Sequence, residues 1–204
     1  MLNLTENEIR DRLDRAIQND PGDPYLEYPD LLLLTKEPPK PAAVLIPLLQ
    51  QGKAWHLLLT RRRDDLPEHS GQVAFPGGRV DPGDTSPENT AMREAWEEIG
   101  LRPDDIHPLG RLRPYLTITN YLVTPVVGVI PWPYELQLET REVSRAFIMP
   151  LGWLMDPANH EERPRTLPGL NPPVNVIYFK QYDGELLWGA SARLTLALIC
   201  ALTQ

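Results

Sequence analysis

Between Pro87 and Gly100 the chain carries a segment whose two sides need different surroundings. The run is Pro87-Glu88-Asn89-Thr90-Ala91-Met92-Arg93-Glu94-Ala95-Trp96-Glu97-Glu98-Ile99. On a helix turning about 100° per residue, Glu94, Glu97 and Glu98 share an arc of roughly 100°. Met92, Ala95, Trp96 and Ile99 fall on the other side, which must bury against a core while the carboxylates face out. Ser86 or Thr85 supplies the N-cap, and Pro87 takes the first helical position, where its missing N–H costs nothing. Gly100 stops the helix. Arg93, four residues before Glu97, is close enough to pair with it. Any fold for this chain must give this helix a layer to lie on.

Three carboxylates this close repel one another. A hard divalent cation relieves the repulsion, because Mg²⁺ favours carboxylate oxygens and keeps part of its water. A plain solvated face is the competing reading of the same residues. The glycine pair Gly77-Gly78, fifteen residues before Arg93, shifts the balance toward a metal site.

Glycine loop and helix together resemble the signature of the Nudix hydrolases: Gly, five residues, Glu, seven residues, then Arg-Glu-apolar-x-Glu-Glu-x-Gly-apolar. Here Gly78 is followed after five residues by Asp84, and eight residues separate Asp84 from Arg93. Asp84 thus replaces the first Glu, and the spacer is one longer. A second stretch is similar to the motif of the coenzyme A pyrophosphatase branch. It runs Leu58-Leu59-Thr60-Arg61-Arg62-Arg63, then Asp64-Asp65-Leu66-Pro67-Glu68-His69-Ser70-Gly71, then Gln72-Val73-Ala74-Phe75-Pro76-Gly77-Gly78. Arg63 stands in the Ser slot and Pro67 in the Arg slot. Further resemblance lies in Ala42 to Leu45, Val123 to Gly128 and Trp188 to Arg193, so the likeness spans about residues 38 to 202.

A chain of 204 residues suits one core with an appendage. The expected division is an N-terminal helix and lead-in over 1–37, packed on a Nudix hydrolase domain over 38–204. A net charge of −8 argues against broad binding to nucleic acid, which needs clustered cations. It leaves room for a small nucleotide-type substrate held through metal. The single cysteine, Cys200, rules out an internal disulfide and suits a reducing cytoplasm; it reads as a small buried hydrophobe in the last helix. The N-terminus lacks a signal-peptide core, and no apolar run approaches the roughly 20 residues of a transmembrane helix. The expectation is a soluble cytoplasmic protein with no membrane partner.

Thr5 and Glu8 form a capping-box pattern ahead of Ile9, Leu13, Ala16 and Ile17 at helical spacing, and that helix ends near Asn19-Asp20-Pro21-Gly22. Pro24 to Pro41 is a proline-containing lead-in. Strands are expected at Ala42–Leu49, Trp55–Arg61, Val73–Phe75, Ile106–Arg113, Tyr121–Ile130, Val143–Met149 and Val174–Lys180. Short and long helices follow at Leu151–Met155 and Ala190–Leu202. Asp156 to Pro173, with five prolines, reads as a long irregular loop, either an active-site wall or a surface connection. The pattern gives an α/β layered sandwich. The resemblance implies the Nudix-type α/β/α sandwich with a mixed sheet.

Cleaving a phosphoric anhydride requires a nucleophilic water, charge neutralisation and alignment, all of which Mg²⁺ or Mn²⁺ can support. Glu97 and Glu98 read as the principal ligands, with Glu94 a ligand or the general base. The resemblance implies the Gly77 carbonyl as a further ligand. Arg93 joins the catalytic set as an organiser of Glu97, which its helix position favours over the competing role of a phosphate clamp. Asp84 suits an outer position, and Asp84 and Glu142, the latter at the start of a late strand, are candidates for an additional acid or base. Arg62 could hold substrate phosphates or be a surface cation. On a strand it points opposite to Arg61 and Arg63. Arg63 is a candidate for a nucleotide's 3′-phosphate, against a solvated reading, and His69 a candidate substrate contact or loop closure. Trp188 reads as packing rather than base stacking. The resemblance implies hydrolysis of coenzyme A or acyl-CoA to adenosine 3′,5′-bisphosphate and (acyl-)4′-phosphopantetheine. The alternatives are another nucleoside diphosphate derivative, such as ADP-ribose or a dinucleotide, or a non-catalytic ligand sensor of the same fold.

Overall fold

The computed structural model describes residues 3–19, 37–66, 69–166 and 173–204. The order is α1 (Glu6–Asn19), β1 (Lys40–Gln51), β2 (Ala54–Arg62), β3 (Val73–Ala74), β4 (Gly77–Arg79) and α2 (Pro87–Ile99). Then come β5 (His107–Arg111), β6 (Tyr115–Leu116), β7 (Tyr121–Val129), β8 (Val143–Pro150), α3 (Leu151–Leu154), β9 (His160–Arg165), β10 (Val174–Phe179) and α4 (Gly189–Thr203). Strand β1 is central, with Leu45, Ile46, Leu48 and Leu49 all without solvent exposure, as a strand covered on both faces must be. It runs parallel to β7 from Lys40↔Tyr121 to Leu48↔Val129 and antiparallel to β2. Strand β8 flanks β2, and β5 flanks β7, both antiparallel, so the sheet is mixed.

A proline in a central strand removes a ladder donor, yet Pro47 is buried in β1. Its position resolves the conflict. Along one edge β1 pairs first with β4, over Ala42 to Val44, and then with β2, over Leu48 to Gln51. Pro47 lies in the gap between these partners.

Alternation along the strands fills two cores. On one face Ala43, Leu45 and Leu58 pack with Ala91, Ala95 and Ile99 of α2. On the other, Ile46, Leu48, Leu57 and Leu59 pack with Ile9 and Leu13 of α1 and Leu194, Leu198 and Leu202 of α4. This is an α/β/α sandwich. The capping box at the start of α1 is formed, with Glu8 accepting from the Thr5 backbone N–H and hydroxyl at 2.8 Å. Arg111 of β5 pairs with Glu88 in the first turn of α2.

Several expectations are corrected. Trp96 is 46% exposed, because α2 lies on the sheet along Ala91, Ala95 and Ile99, and Trp96 is roughly 140° around the helix from Ala91. Glu98 takes the inward place instead. Ile17 is exposed at the end of α1. Cys200 is exposed, since it lies roughly 200° from Leu198 on α4. Within the expected loop after Asp156, β9 pairs with β10 in a two-stranded ribbon from Arg165↔Val174 to His160↔Phe179. Its sequence, His-Glu-Glu-Arg-Pro-Arg, carries no apolar alternation because its side chains are largely exposed. Residues 20–36 of the lead-in and 167–172 of that loop lie outside the described residues.

Leu13 is fully buried, and its side chain lies 3.4 Å from where a Cβ on Gly110 would sit. Leu13→Ala should therefore cost about 2–5 kcal/mol, measured by chemical denaturation, while Ile17→Ala on the exposed side of α1 should stay within about 0.5 kcal/mol.

Candidate active site

The site begins with a close approach of backbones. Pro76 is buried and its carbonyl accepts from the Leu45 N–H at 2.8 Å, pulling the glycine turn onto β1. A Cβ at Gly77 would sit 2.4 Å from the Ala43 carbonyl oxygen and 2.6 Å from Val44 Cα. A Cβ at Gly78 would sit 2.4 Å from Glu94 Oε1. Only glycine fits at position 77, where the neighbour is backbone, while a side chain at position 78 would displace the Glu94 carboxylate. The pair forms the floor against which the acidic side of α2 rests.

Helix α2 is capped as its sequence demands. Of the two candidate caps Ser86 is the one used, its hydroxyl accepting from the Asn89 N–H at 3.3 Å. Gly100 closes the helix at φ 68°, donating to the Trp96 carbonyl at 3.0 Å. The chain then returns: the N–H groups of Gln137 and Glu139 donate to the Ile99 and Glu98 carbonyls at 2.9 and 2.8 Å. That return brings residues 139–142 beside the C-terminal half of α2.

Arg93 gathers the acids. Its Nε donates to Asp84 Oδ1 at 3.2 Å and its Nη2 to Asp84 Oδ2 at 2.9 Å and the Arg79 carbonyl at 3.0 Å. Its Nη1 donates to Glu94 at 3.0 Å and Glu97 at 3.1 Å. Asp84 also accepts from the Thr90 hydroxyl and the Asp81 N–H, each at 2.9 Å. With Arg93 as the main cause, Asp84 is held far below the usual carboxylate range, and Arg93 is held firmly protonated. Asp84 therefore faces Arg93 and braces the loop before α2.

The three glutamates occupy different environments. Glu97 is exposed. Glu94 is partly buried, and desolvation raises its pKa against the pull of Arg93. Glu98 is only 8% exposed, and its carboxyl is pushed up to about 8, first by burial and then by the Glu94 charge. The Glu142 charge adds to the rise, whereas Arg62 and the Gly77 amide oppose it. Among the described residues no three acidic, His or Cys groups converge on one point, because Glu94 and Glu97 turn toward Arg93. A buried acid beside a second acid, lined by a glycine backbone, nonetheless has the donor chemistry of a hard divalent cation.

The second motif lies beside this helix. Arg62 extends from β2 on the side of Leu58, toward α2, and its Nε is buried with no hydrogen-bond partner. A bulge aims it: Arg61 pairs with Arg145 but Arg62 with Val143, leaving Ser144 as the extra residue. The Ser144 hydroxyl lies 3.1 and 3.3 Å from the Arg61 and Arg62 carbonyls. Arg63 turns away, its guanidinium on Asp65 at 2.7 and 2.8 Å and on the Thr140 carbonyl at 2.9 Å. His69 sits at φ 56° with Nδ1 2.8 Å from Gln72 Oε1. Glu142 is exposed just before β8, and its carbonyl accepts from the Arg63 N–H at 3.0 Å. Trp188 stacks on Tyr178 with ring centroids 5.5 Å apart, with Arg165 over its ring.

Sequence reasoning missed the ion pairs that Glu185 makes with Arg61 and Arg145. Only the turn dipeptide Asp183-Gly184 hinted at them, by marking a hairpin that reaches back to the sheet.

An α/β/α sandwich that lays an acid-rich helix over a glycine turn is the arrangement shared with proteins of the Nudix fold. The family model of the NUDIX domain matches residues 38–170, and the chain belongs to the Nudix family. It is a Nudix pyrophosphohydrolase. The chain is similar to the uncharacterized Nudix hydrolase NudL of Yersinia pestis (strain Pestoides F), at 38% identity over 151 residues covering 74% of each protein. Among solved structures it is similar in fold to a MutT/nudix family protein from Enterococcus faecalis, with TM-score 0.52, 15% identity and coverage of 93% of this chain and 73% of that one. A Nudix hydrolase from M. smegmatis, RenU, gives TM-score 0.50 and 22% identity over 59% of this chain and 76% of that one. Nudix hydrolases generally use divalent metal ions. Among the described residues no helix is long and apolar enough to cross a membrane.

The raised Glu98 carboxyl makes stability depend on pH. Folding takes up a proton between its ordinary 4.5 and about 8, so this stability is complete below the lower value and is lost as pH rises through the upper one. In metal-free protein the melting temperature should fall between about pH 5 and about pH 8.5, and Glu98→Gln should flatten that fall. Parallel pH profiles for the two proteins would contradict the assignment.

Proposed function

We propose that the protein hydrolyses the pyrophosphate bond of coenzyme A or acyl-CoA, releasing adenosine 3′,5′-bisphosphate and (acyl-)4′-phosphopantetheine. The observation carrying this reading is the placement of the Leu58-to-Gly78 motif. Two parts of it, Arg62 and the Gly77-Gly78 turn, both lie against the acidic side of α2. A motif resembling the coenzyme A branch is thus built into the wall of the hydrolytic site.

In this reading Glu97 and Glu98 hold Mg²⁺ or Mn²⁺, with the Gly77 carbonyl as a further ligand and Glu94 as ligand or base. The ion supplies charge neutralisation on phosphoryl oxygens and a more acidic bound water. Arg93 sets the orientation of Glu94 and Glu97, and Asp84 fixes Arg93, so the acids are presented at low reorganisation cost. Arg62 is the better placed of the two candidate phosphate cations, since Asp65 and Thr140 already occupy the Arg63 fork. His69 offers a polar contact from the motif loop. Glu142, near Glu98, is the alternative to Glu94 as the group that takes the proton from water.

The departures at Arg63 and Pro67 favour a second reading, hydrolysis of ADP-ribose or a dinucleotide. Mass spectrometry of products after incubation with CoA, acyl-CoA, ADP-ribose and dinucleotides plus Mg²⁺ or Mn²⁺ separates the two. The bisphosphate and phosphopantetheine should dominate; efficient ADP-ribose cleavage with no CoA turnover would transfer the assignment to the second reading. Glu97→Gln and Glu98→Gln should each lower kcat by about 100-fold or more while the protein stays folded by circular dichroism. Near wild-type rates in both at saturating metal would remove these residues from the site.

A further inference from the structure

The pairing of β2 with β8 sets Arg61 directly opposite Arg145. Like charges facing each other across a ladder destabilise it, so an anion is required between them. Glu185 supplies it. The residue is 9% exposed, with Oε1 3.0 Å from Arg145 Nη1 and Oε2 3.4 Å from Arg61 Nε. A tight turn delivers it: Tyr182 and Glu185 exchange backbone hydrogen bonds of 3.0 and 2.9 Å. Asp183 and Gly184 between them have φ 51° and 80°, the left-handed pair of a type I′ turn. Arg145 grips the same turn, donating to the Asp183 carbonyl at 3.0 Å and to its carboxylate.

The contacts continue into the motif loop. Arg61 Nη2 donates to Asp64 Oδ1 at 2.6 Å. The Asp64 carbonyl accepts from the Ser70 hydroxyl at 2.5 Å, and its carboxylate fills the space beside Gly71, 2.6 Å from where a Cβ would sit. Gly71 in turn donates its N–H to the Arg63 carbonyl at 3.1 Å, closing the loop. A connected path of charged contacts therefore runs from Arg145 through Glu185, Arg61 and Asp64 to the segment holding His69. It lies on the face of the sheet opposite α2, since Arg61 and Arg62 point to opposite sides of β2.

We propose that Glu185 is a positioning residue for substrate binding: by fixing Arg61, it holds residues 63–66 and 69–72 in their substrate-ready conformation from behind the sheet. The proposal rests on the reading that this loop contacts substrate. Breaking the path loosens the loop without touching the acids of α2, so the effect falls on KM and leaves the metal requirement alone.

The test is steady-state kinetics on Glu185→Gln, using whichever nucleoside diphosphate derivative the wild type cleaves, together with hydrogen exchange of the loop amides. KM should rise about tenfold, as expected for a loss of roughly 1.4 kcal/mol in binding. The kcat and the metal concentration giving half-maximal rate should not change. Exchange should accelerate in residues 64–66 and 69–72 and not in α2. Asp64→Asn, at the exposed end of the path, should reproduce both effects and keeps the test valid should Glu185→Gln fold poorly. Unchanged loop exchange, or a fall in kcat at constant KM, would overturn the proposal. Faster loop exchange with unchanged KM would overturn it too, and would show that the loop does not contact substrate. Failure of the coenzyme A reading appears separately, as wild-type turnover of a different substrate.

Discussion

Mutual repulsion among Glu94, Glu97 and Glu98 is the constraint around which this end of the molecule is arranged. Three groups offset it in different ways. Arg93 binds two of the acids through one nitrogen and is itself anchored by Asp84, so the helix face is tied to the loop that precedes it. The glycine turn brings a backbone edge against Glu94 and Glu98 without the bulk of side chains. Burial keeps Glu98 close to neutrality until a stronger cation or a higher pH draws off its proton. Without Arg93 the charges of Glu94 and Glu97 would face each other unpaired, and the repulsion is least screened at the buried end of the site, beside Glu98.

The same requirement explains why the helix sits as it does on the sheet. Ala91 and Ala95 allow close approach to β1, and that approach turns the helix until Glu98 faces inward and Trp96 outward. The spacing of apolar residues makes α2, its caps and its charged side legible from sequence, because these are local properties. Rotation about the helix axis is not local. It depends on Gly77 and Gly78 meeting β1 and Glu94, and on small residues outcompeting a large one for the contact face.

Other parts of the chain divide along the same line. The alternation of β2 places Arg62 opposite to Arg61 and Arg63 from the sequence alone, since a period of two follows from backbone geometry. The β9–β10 ribbon was hidden, because neither face of β9 is buried and no hydrophobic signal marks it. The contact of Arg145 with Glu185 joins residues forty positions apart in sequence, and no local pattern records such a pairing. Cys200 shows the limit of composition: a residue type that favours interiors stands on the wet side of α4 because its neighbours on the helix fill the core.

Pro47 has an architectural effect beyond its missing donor. By ending one partnership of β1 and beginning another, it splits the edge of the central strand into two berths, one for the glycine turn and one for the β2 hairpin. The segment joining these berths can change length or composition while both ends remain docked. The glycine turn beside Glu94 and the strand carrying Arg62 are thereby mounted on separate supports, and an altered connection between them need disturb neither.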